Sequence, residues 1–197
     1  MPWKKNFDVD EAIVRAMYVF WDKGFANTSM TDLTDAIGVP RQSLYNAVGS
    51  KKELFIRSLL RYDAHERQPM LSSFEARGEP RQAICDFFHE LVEVAANDPQ
   101  KRGCFLVNTS LSIAQHDKEI RVLVSGAFDN FRGFFERLID HAKTREEVPE
   151  ELDTEATASG LMALFIGIIV MSRGTCRKEQ LMEMAAQAPK LLEVEGV

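Results

Sequence analysis

The stretch MTDLTDAIGVPRQSLYNAVGSKKELF, residues 30 to 55, decides how the N-terminal part of this chain folds. It contains two short segments with the period of a helix, separated by Gly38-Val39-Pro40. Gly38 suits the C-terminus of a helix, and Pro40 suits the first turn of the next one because its missing N–H would have no partner there. The sequence therefore predicts two short helices joined by a tight turn.

The second of these helices, residues 40–47, has few side chains that can face a core. Only Leu44, with Tyr45 and Val48 beside it, points inward, which leaves the polar residues exposed. A helix that enters the major groove of DNA, about 12 Å wide, needs this combination of apolar anchor and polar outer face. The next helix begins with the capping box Ser50-Lys51-Lys52-Glu53. Together these features are typical of a helix-turn-helix.

The remaining sequence also follows the 3.6-residue period and nowhere shows sustained alternation of period two. We therefore predict an all-α protein of about nine helices. Gly24 is expected to stop the first helix, and Pro69 to end the fourth near Gln68. The expected helices cover residues 9–24, 30–37, 40–47, 50–68, 81–96, 103–115 and 118–143, a helix that ends near 173, and 177–192.

The composition is that of an ordinary globular protein, with 27% charged and 45% hydrophobic residues in a chain of 197. The formal net charge is −6, but its sign differs along the chain. Residues 1–62 carry nine Lys/Arg against seven Asp/Glu, and residues 63–197 carry fifteen against twenty-three. The small positive excess of the N-terminal part permits contacts with phosphates without establishing them.

Several classes of protein are disfavoured by what the sequence lacks. Three widely spaced cysteines do not resemble a disulfide framework, and the N-terminus lacks a basic segment followed by an apolar one, so we predict a cytoplasmic protein. The longest apolar run, residues 161–171, is shorter than the roughly 18 residues that span a bilayer, so we expect a buried helix and no membrane partner. A phosphate-binding glycine loop, an HExxH motif and a nucleophile elbow are absent, which argues against an enzyme.

Residues 28 to 55, TSMTDLTDAIGVPRQSLYNAVGSKKELF, resemble the N-terminal signature of TetR-type transcriptional regulators in order and spacing. The preceding AMYVFWDKGFANTS is similar to the first helix of that family and its Gly-Phe turn. Val48 departs from the family pattern, which often has Phe there, and Asn46-Ala47 replaces bulkier residues. The positions that match are Thr28-Ser29, Leu33, Ala36, Gly38-Val39, Leu44-Tyr45, Ser50-Lys51 and Leu54-Phe55.

The resemblance implies an N-terminal three-helix DNA-binding domain at residues 1–49 and a C-terminal helical ligand-binding and dimerisation domain at 50–197, connected by the helix 50–68. It implies a repressor that binds a palindromic double-stranded DNA operator as a homodimer, paired through its last two helices. A small-molecule or electrophile inducer would release the DNA, and no cofactor is implied. An all-helical ligand carrier or adaptor that has lost DNA binding is the alternative, which the small N-terminal charge leaves open.

The resemblance also implies which side chains touch DNA. Arginine pairs well with guanine and glutamine with adenine in the major groove, while hydroxyl and ammonium groups suit phosphates. The alternative for each residue is a solvated position on a small surface helix. The expected contacts are Thr28, Ser29, Arg41, Gln42, Ser43, Tyr45, Asn46 and Lys51.

Aromatic residues and methionine are abundant in the C-terminal part, where they would suit an apolar or planar inducer. Such stripes also form ordinary hydrophobic core, and the sequence leaves both interpretations open. The candidate pocket residues are Phe87, Phe88, Leu91, Cys104, Phe105, Asn108, Phe128, Phe131, Phe135, Met162 and Phe165.

The segment RGCFLVN, residues 102 to 108, has a Gly-Cys-x-x-x-Asn pattern that resembles a branch of the family with electrophile- and oxidant-responsive repressors. In that interpretation Cys104 is a redox sensor, because a helix N-terminus and the adjacent Lys101 and Arg102 favour the thiolate. The alternative is a small buried residue that helps its helix to pack.

A soft metal site is a further alternative, formed by Cys85 and His89 on one helix face together with Cys104. A dense His/Cys cluster does not accompany these residues, so we predict no metal. The other histidines are expected at the surface, namely His65, His116 and His141.

Overall fold

The computed structural model describes residues 7–193, and within that range the chain folds into helices without strands. The predicted all-α class of about nine helices is confirmed there. A one-turn 3-10 helix, Ile113–Gln115, precedes the helix Lys118–Thr144, and a short helical turn, Ala188–Leu191, follows the helix Lys178–Ala185. The nine helices are α1 (Val9–Asn27), α2 (Met30–Ile37), α3 (Arg41–Val48), α4 (Lys51–Tyr62, continued by Asp63–Arg67 and Gln68–Glu75), α5 (Pro80–Asn97), α6 (Phe105–Ser110), α7 (Lys118–Thr144), α8 (Thr154–Ser172) and α9 (Lys178–Ala185).

The short N-terminal helices begin and end at the residues that the sequence indicates. Ser29 and Ser50 each form a capping box, with Asp32 and Glu53 respectively. Gly38 closes α2 in the left-handed conformation, with φ 81°, which a residue with a side chain rarely adopts. The tight turn between α2 and α3 therefore follows from the residue types of the local sequence.

The first helix runs slightly further than predicted. Gly24 interrupts the regular helix as expected, with φ 76°, but one more turn follows it to Asn27. The Thr28 hydroxyl donates to the Gly24 carbonyl at 2.7 Å, which satisfies an acceptor that the interrupted helix leaves free. The kink thus places the end of α1 against α2 and α4.

The predicted end of α4 before Pro69 is wrong. The helix widens into a π-helical turn at Asp63–Arg67 and then continues to Glu75, with Pro69 in the first turn of the new segment. The Gln68 N–H donates to the Asp63 carbonyl, five residues back. The spacing of the backbone hydrogen bonds therefore changes from four residues to five just before the proline. Proline is tolerated in the first turn of a helical segment, where its missing N–H breaks no established bond.

The predicted helix 103–115 is also divided. It begins only at Phe105, because the Asp98 carboxylate accepts the backbone N–H groups of Gln100 and Arg102 and holds the preceding segment as a loop. After Ser110 the chain changes to the 3-10 turn. This irregular region lies between α1 and the last turn of α8.

Helix α8 is apolar on nearly all sides, and by length and composition it is the one described helix that could cross a membrane. This apolar helix is longer than the run of residues 161–171 on which the expectation of a buried helix was based. In the fold, α8 packs against α7, α5 and α9. Gly167 faces α9, where a Cβ would be in ordinary van der Waals contact with the Met184 methyl carbon. Its contacts are those of a core helix with one side left uncovered.

Candidate DNA-binding surface and domain junction

Helix α3 combines two buried anchors with an exposed polar edge. Leu44 and Val48 are 0% and 1% exposed, and they attach the helix to the N-terminal core. Arg41, Gln42 and Asn46 are exposed on the opposite side. Ser43 and Tyr45 are half-buried at the margins. The helix therefore presents its hydrogen-bonding side chains outward, as the sequence predicts.

The exposed side chains of α3 pair with each other one turn apart. The Arg41 guanidinium donates to the Tyr45 hydroxyl at 3.3 Å and lies 5.5 Å from the centre of that ring. The Gln42 amide donates to the Asn46 side-chain oxygen at 3.0 Å. Such hydrogen bonds orient the side chains but contribute little net free energy. In water each group can therefore exchange its partner easily for another one. The edge is therefore ordered and still free to bind.

Thr28 differs from the other expected contacts. Its side chain is 1% exposed and its hydroxyl bonds the Gly24 carbonyl, so the structure does not present it at the surface. Ser29 is exposed, although its hydroxyl is part of the capping box. The expected phosphate contact therefore fits Ser29 better than Thr28.

Lys51 lies at the start of α4, where its ammonium is 4.4 Å from the centre of the Phe25 ring. Partial burial lowers its pKa. Nearby, the Lys23 ammonium and the Ser29 hydroxyl and N–H lower the pKa of Asp32, so this carboxylate stays ionised. The Asp32 charge is thus already paired within the domain.

The predicted pocket residues divide between two places in the C-terminal part. The larger group forms a set of packed phenylalanine rings on α4, α5, α7 and α8, here called the ring cluster. Its centroids are 4.4 to 6.0 Å apart, and all its members are buried, so the rings fill the space between these helices. Met162 is buried, while Leu91 and Phe128 are half-buried. The ring cluster consists of Phe74, Phe87, Phe88, Phe131, Phe134, Phe135 and Phe165.

The remaining pocket residues lie at the contact between the two domains, here called the junction. Phe105 packs against Trp21, Phe55 and Tyr62, with centroids 5.7 to 5.9 Å away. Asn108 donates to the Arg102 carbonyl at 2.7 Å and accepts from Arg173 at 2.8 Å. Its amide thereby links α6 to the preceding loop and to the end of α8. The junction consists of Trp21, Phe25, Phe55, Tyr62, Cys104, Phe105, Asn108 and His116.

Cys104 is at the N-terminus of α6 as expected, but its thiol is not activated there. It is 6% exposed, and burial raises its pKa even though hydrogen bonds and Arg67 act in the opposite direction. The Tyr62 hydroxyl donates to its sulfur at 3.5 Å. The expected lowering of the thiol pKa is therefore wrong, because desolvation outweighs the helix N-terminus.

His116 is a junction residue whose burial the sequence analysis missed. It was expected at the surface, but it is 6% exposed and its ring stacks on Phe55 at 5.6 Å, with Phe25 at 5.5 Å. Burial lowers its pKa, which favours the neutral ring. Its flanking sequence, Gln115 and Asp117, is polar and gives no signal of burial. The contact depends on how the domains meet.

Two groups of ion pairs lie at the edges of the junction. Arg102 contacts Asp22 on α1 at 2.6 Å. On the other side, Lys52 on α4 contacts Asp117 and Glu119 at 2.7 and 2.9 Å. These carboxylates raise the pKa of Lys52, and Lys52 lowers that of Asp117. The start of α4 is thus linked directly to the start of α7.

The metal alternative is not supported in the part of the chain that the structure covers. Residues 7–193 contain no group of three His, Cys, Asp or Glu side chains placed to hold an ion. Cys85 is half-buried, and desolvation raises its pKa. Cys104 therefore does not join Cys85 and His89 in a ligand set.

Comparison with known protein families gives matches for both the N-terminal and the C-terminal helices of this chain. Residues 12–57 match the family described as "Bacterial regulatory proteins, tetR family". Residues 78–188 match the family described as "Tetracyclin repressor-like, C-terminal domain". The HTH-type transcriptional repressor ComR of Escherichia coli is 25% identical over 188 residues, which cover 95% of this chain and 90% of ComR.

Solved structures share the fold. The TetR family transcriptional regulator CifR, as a cysteine mutant complexed with 26-base-pair operator DNA, superposes with a TM-score of 0.84 at 25% identity, covering 95% of this chain and 98% of that one. The reduced form of Escherichia coli NemR superposes with a TM-score of 0.85 at 16% identity, covering 97% and 100%. The C-terminal family match alone extends over more than half of the chain. With the helix-turn-helix match at residues 12–57, it establishes that this chain belongs to the TetR family of bacterial regulatory proteins.

Proposed function

We propose that this protein is a one-component transcriptional repressor of the bacterial cytoplasm that binds a palindromic operator as a homodimer and leaves it when an inducer binds. The observation that carries the proposal is the exposed edge of α3, where Arg41, Gln42 and Asn46 stand opposite the buried Leu44 and Val48. The CifR structure, which holds operator DNA, supports the same use of the fold.

In this mechanism α3 of each subunit enters a major groove, and the two half-sites lie one helical turn apart, about 34–36 Å. Arg41 would exchange its bond to the Tyr45 hydroxyl for a guanine edge, and Gln42 would exchange Asn46 for adenine. Lys51 and Tyr45 would contact phosphates and set the register.

Binding to the DNA upstream of the gene for this chain tests the proposal. By fluorescence anisotropy we expect Arg41→Ala to lose about 10- to 100-fold in affinity for the operator and much less for unrelated DNA. Lys51→Ala should weaken binding to all sequences. It should also reduce the number of counterions released on binding, measured from the slope of log K against log salt, by about one. Arg132→Ala, on α7, is the matched control and should bind as wild type. A protein that leaves no footprint at low salt would instead favour a ligand carrier or adaptor.

The homodimer is supported by the uncovered side of α8. Its outer stripe follows the helical repeat through the exposed Ser159, Ala163 and Val170 and the half-buried Ile166, all small or apolar residues. A second copy of α8 and α9 would bury this stripe in a four-helix bundle. We expect Ala163→Glu to give a monomer by sedimentation and Ala163→Ser to remain dimeric. A wild-type monomer at micromolar concentration would contradict the pairing.

For the inducer, we propose that Cys104 is the group that responds to electrophiles. Its burial beneath Tyr62 means that reaction requires the junction to open, so the thiol would report on that opening. Cys104→Ser should abolish the release of operator DNA by N-ethylmaleimide, whereas Cys85→Ser and Cys176→Ser should not. An unchanged dose response in Cys104→Ser would leave Cys104 as a packing residue.

A further inference from the structure

The π-helical turn of α4 brings the side chains of Tyr62 and Arg67 to one side of the helix. In an α-helix, two residues five positions apart point about 140° away from each other. In a π-helical turn the hydrogen bonds join residues five apart, so two such side chains lie on the same side. Tyr62 and Arg67 are 8% and 3% exposed, and both act on the thiol of Cys104. The widened turn therefore places a hydroxyl group and a positive charge near one sulfur.

Arg67 is a buried charge that is held from several sides. Its guanidinium donates to the Asp63 carboxylate at 2.5 Å and to the Asn130 side-chain oxygen at 3.0 Å. It also lies 5.9 Å from the centre of the Phe131 ring. Asn130 and Phe131 belong to α7, so these contacts attach the π-helical turn to the same domain as Cys104. The position of the charge thus does not depend on the DNA-binding domain.

Tyr62 is suited to donate a hydrogen bond to an ionised sulfur. Its hydroxyl donates to Cys104 Sγ at 3.5 Å. Burial, together with the neighbouring Cys104, raises the pKa of Tyr62 well above its ordinary value, so the hydroxyl keeps its proton. A thiolate accepts a stronger hydrogen bond than a neutral thiol, so this contact favours the ionised form. Arg67 and the backbone N–H groups in the first turn of α6 favour the thiolate as well.

In the closed junction, burial outweighs these groups and keeps the thiol protonated. We propose that Tyr62 and Arg67 stabilise the thiolate of Cys104 once solvent reaches the junction, and thereby set the pH at which this thiol reacts. The inference rests on the proposed response of Cys104 to electrophiles and names the groups that prepare the sulfur for it.

The reaction with N-ethylmaleimide needs no further reactant besides water. The thiol first gives its proton to water, because the thiolate is the nucleophile. A lone pair of the sulfur then forms a bond to one carbon of the maleimide C=C bond. The electron pair of that double bond is displaced and takes up a proton from water, which leaves a thioether.

The test measures the rate at which N-ethylmaleimide modifies Cys104, between about pH 6 and 10, in a protein that carries Cys85→Ser and Cys176→Ser. Tyr62→Phe removes the hydroxyl and keeps the ring contacts with Trp21 and Phe105. We expect this variant to raise the midpoint of the pH profile by about one unit and to lower the rate at neutral pH about tenfold. At high pH its rate should equal or exceed that of wild type, because a less stabilised thiolate is the stronger nucleophile.

Variants of the charge and a matched control make the test specific. Arg67→Gln should raise the midpoint in the same direction, and Arg67→Lys, which keeps the charge, should bring it back toward the wild-type value. Tyr18→Phe makes the same chemical change as Tyr62→Phe in a tyrosine that is 40% exposed and stacks on the other ring partner, Trp21. It should react as wild type at every pH.

Two results would overturn the inference. One is a folded Tyr62→Phe protein whose midpoint equals that of wild type. The other is a Tyr62→Phe protein that reacts faster at every pH, which would mean that Tyr62 only keeps the junction closed.

Failure of the proposed function gives a different result. Modification of Cys104 that leaves operator binding unchanged would contradict the electrophile response, while the shift of the midpoint in Tyr62→Phe would still support the thiolate site. The carbon-13 resonance of the Cys104 β-carbon, followed against pH, gives the same midpoint without any reagent. A Tyr62→Phe protein in which this midpoint does not rise would overturn the inference even if Cys104 never reacts.

Discussion

The ring cluster and the junction are both built from aromatic side chains, but the surroundings of the rings differ between the two regions. In the ring cluster, phenylalanines alone fill the space between helices of one domain. In the junction, the rings come from both domains and stand beside Cys104, His116 and a cavity. Aromatic content therefore does not distinguish a core from a binding site. The junction differs from the ring cluster in that Trp21 Nε1 and His116 Nδ1 are buried beside its rings without a hydrogen-bond partner in residues 7–193.

The largest effect should come from truncating a ring in the ring cluster. Phe87 is in ring contact with six other phenylalanines, so Phe87→Ala leaves a cavity and should destabilise the protein by about 3–5 kcal/mol. Phe25 is half-buried in the junction, and Phe25→Ala should cost about 1 kcal/mol. Urea unfolding at one fixed protein concentration measures both. Equal losses would remove the distinction between the two regions.

A smaller effect is expected from His116 in the junction, between about pH 7 and 5. Burial lowers the pKa of His116 below its ordinary value of about 6.5, so the unfolded chain takes up the proton first as the pH falls. The stability from the neutral ring is therefore complete above that value and is lost as the pH decreases toward the lower pKa of the folded protein. We expect His116→Phe to flatten the fall in melting temperature between about pH 7 and 5.

The exposed His65 provides the control for this pH dependence. His65→Phe should keep the fall of the wild type, because its ring gains no burial on folding. If His116→Phe follows the wild-type curve instead, protonation of His116 does not oppose folding.

The smallest effect on stability should come from the ion pairs at the edge of the junction. Lys52 and its two carboxylate partners are largely exposed, where solvent screens the attraction. We expect Lys52→Ala to lower the melting temperature slightly at low salt, and the difference to disappear at high salt. A large loss that persists in salt would show that the start of α4 is held against the start of α7 by charge more than by the aromatic contacts.

The sequence was most informative where structure is decided locally. The capping box of Ser50, Gly38 at the end of α2 and the buried Leu44 all follow from residue types at fixed spacing, and each is confirmed. The all-helical class follows in the same way from the 3.6-residue period.

Features that depend on distant parts of the chain were not predictable. His116 is buried because α1 and α4 bring Phe25 and Phe55 to it, and nothing in its own neighbours indicates that contact. The pKa of Cys104 depends on desolvation by surrounding helices, which outweighs the local helix terminus. The two groups of pocket candidates likewise separated only when the helices were assembled.

The π-helical turn at Asp63–Arg67 means that α4 contains one residue more than a regular helix of the same span. Because an α-helix turns about 100° per residue, a deletion elsewhere in α4 would rotate the N-terminal domain relative to the rest of the chain. A deletion of the exposed Ala64 would instead convert the wide turn into a regular one and leave both ends of the helix in their directions. Helix α4, which links the two domains, can therefore lose one residue at the π-helical turn without a change in the relative direction of its two ends.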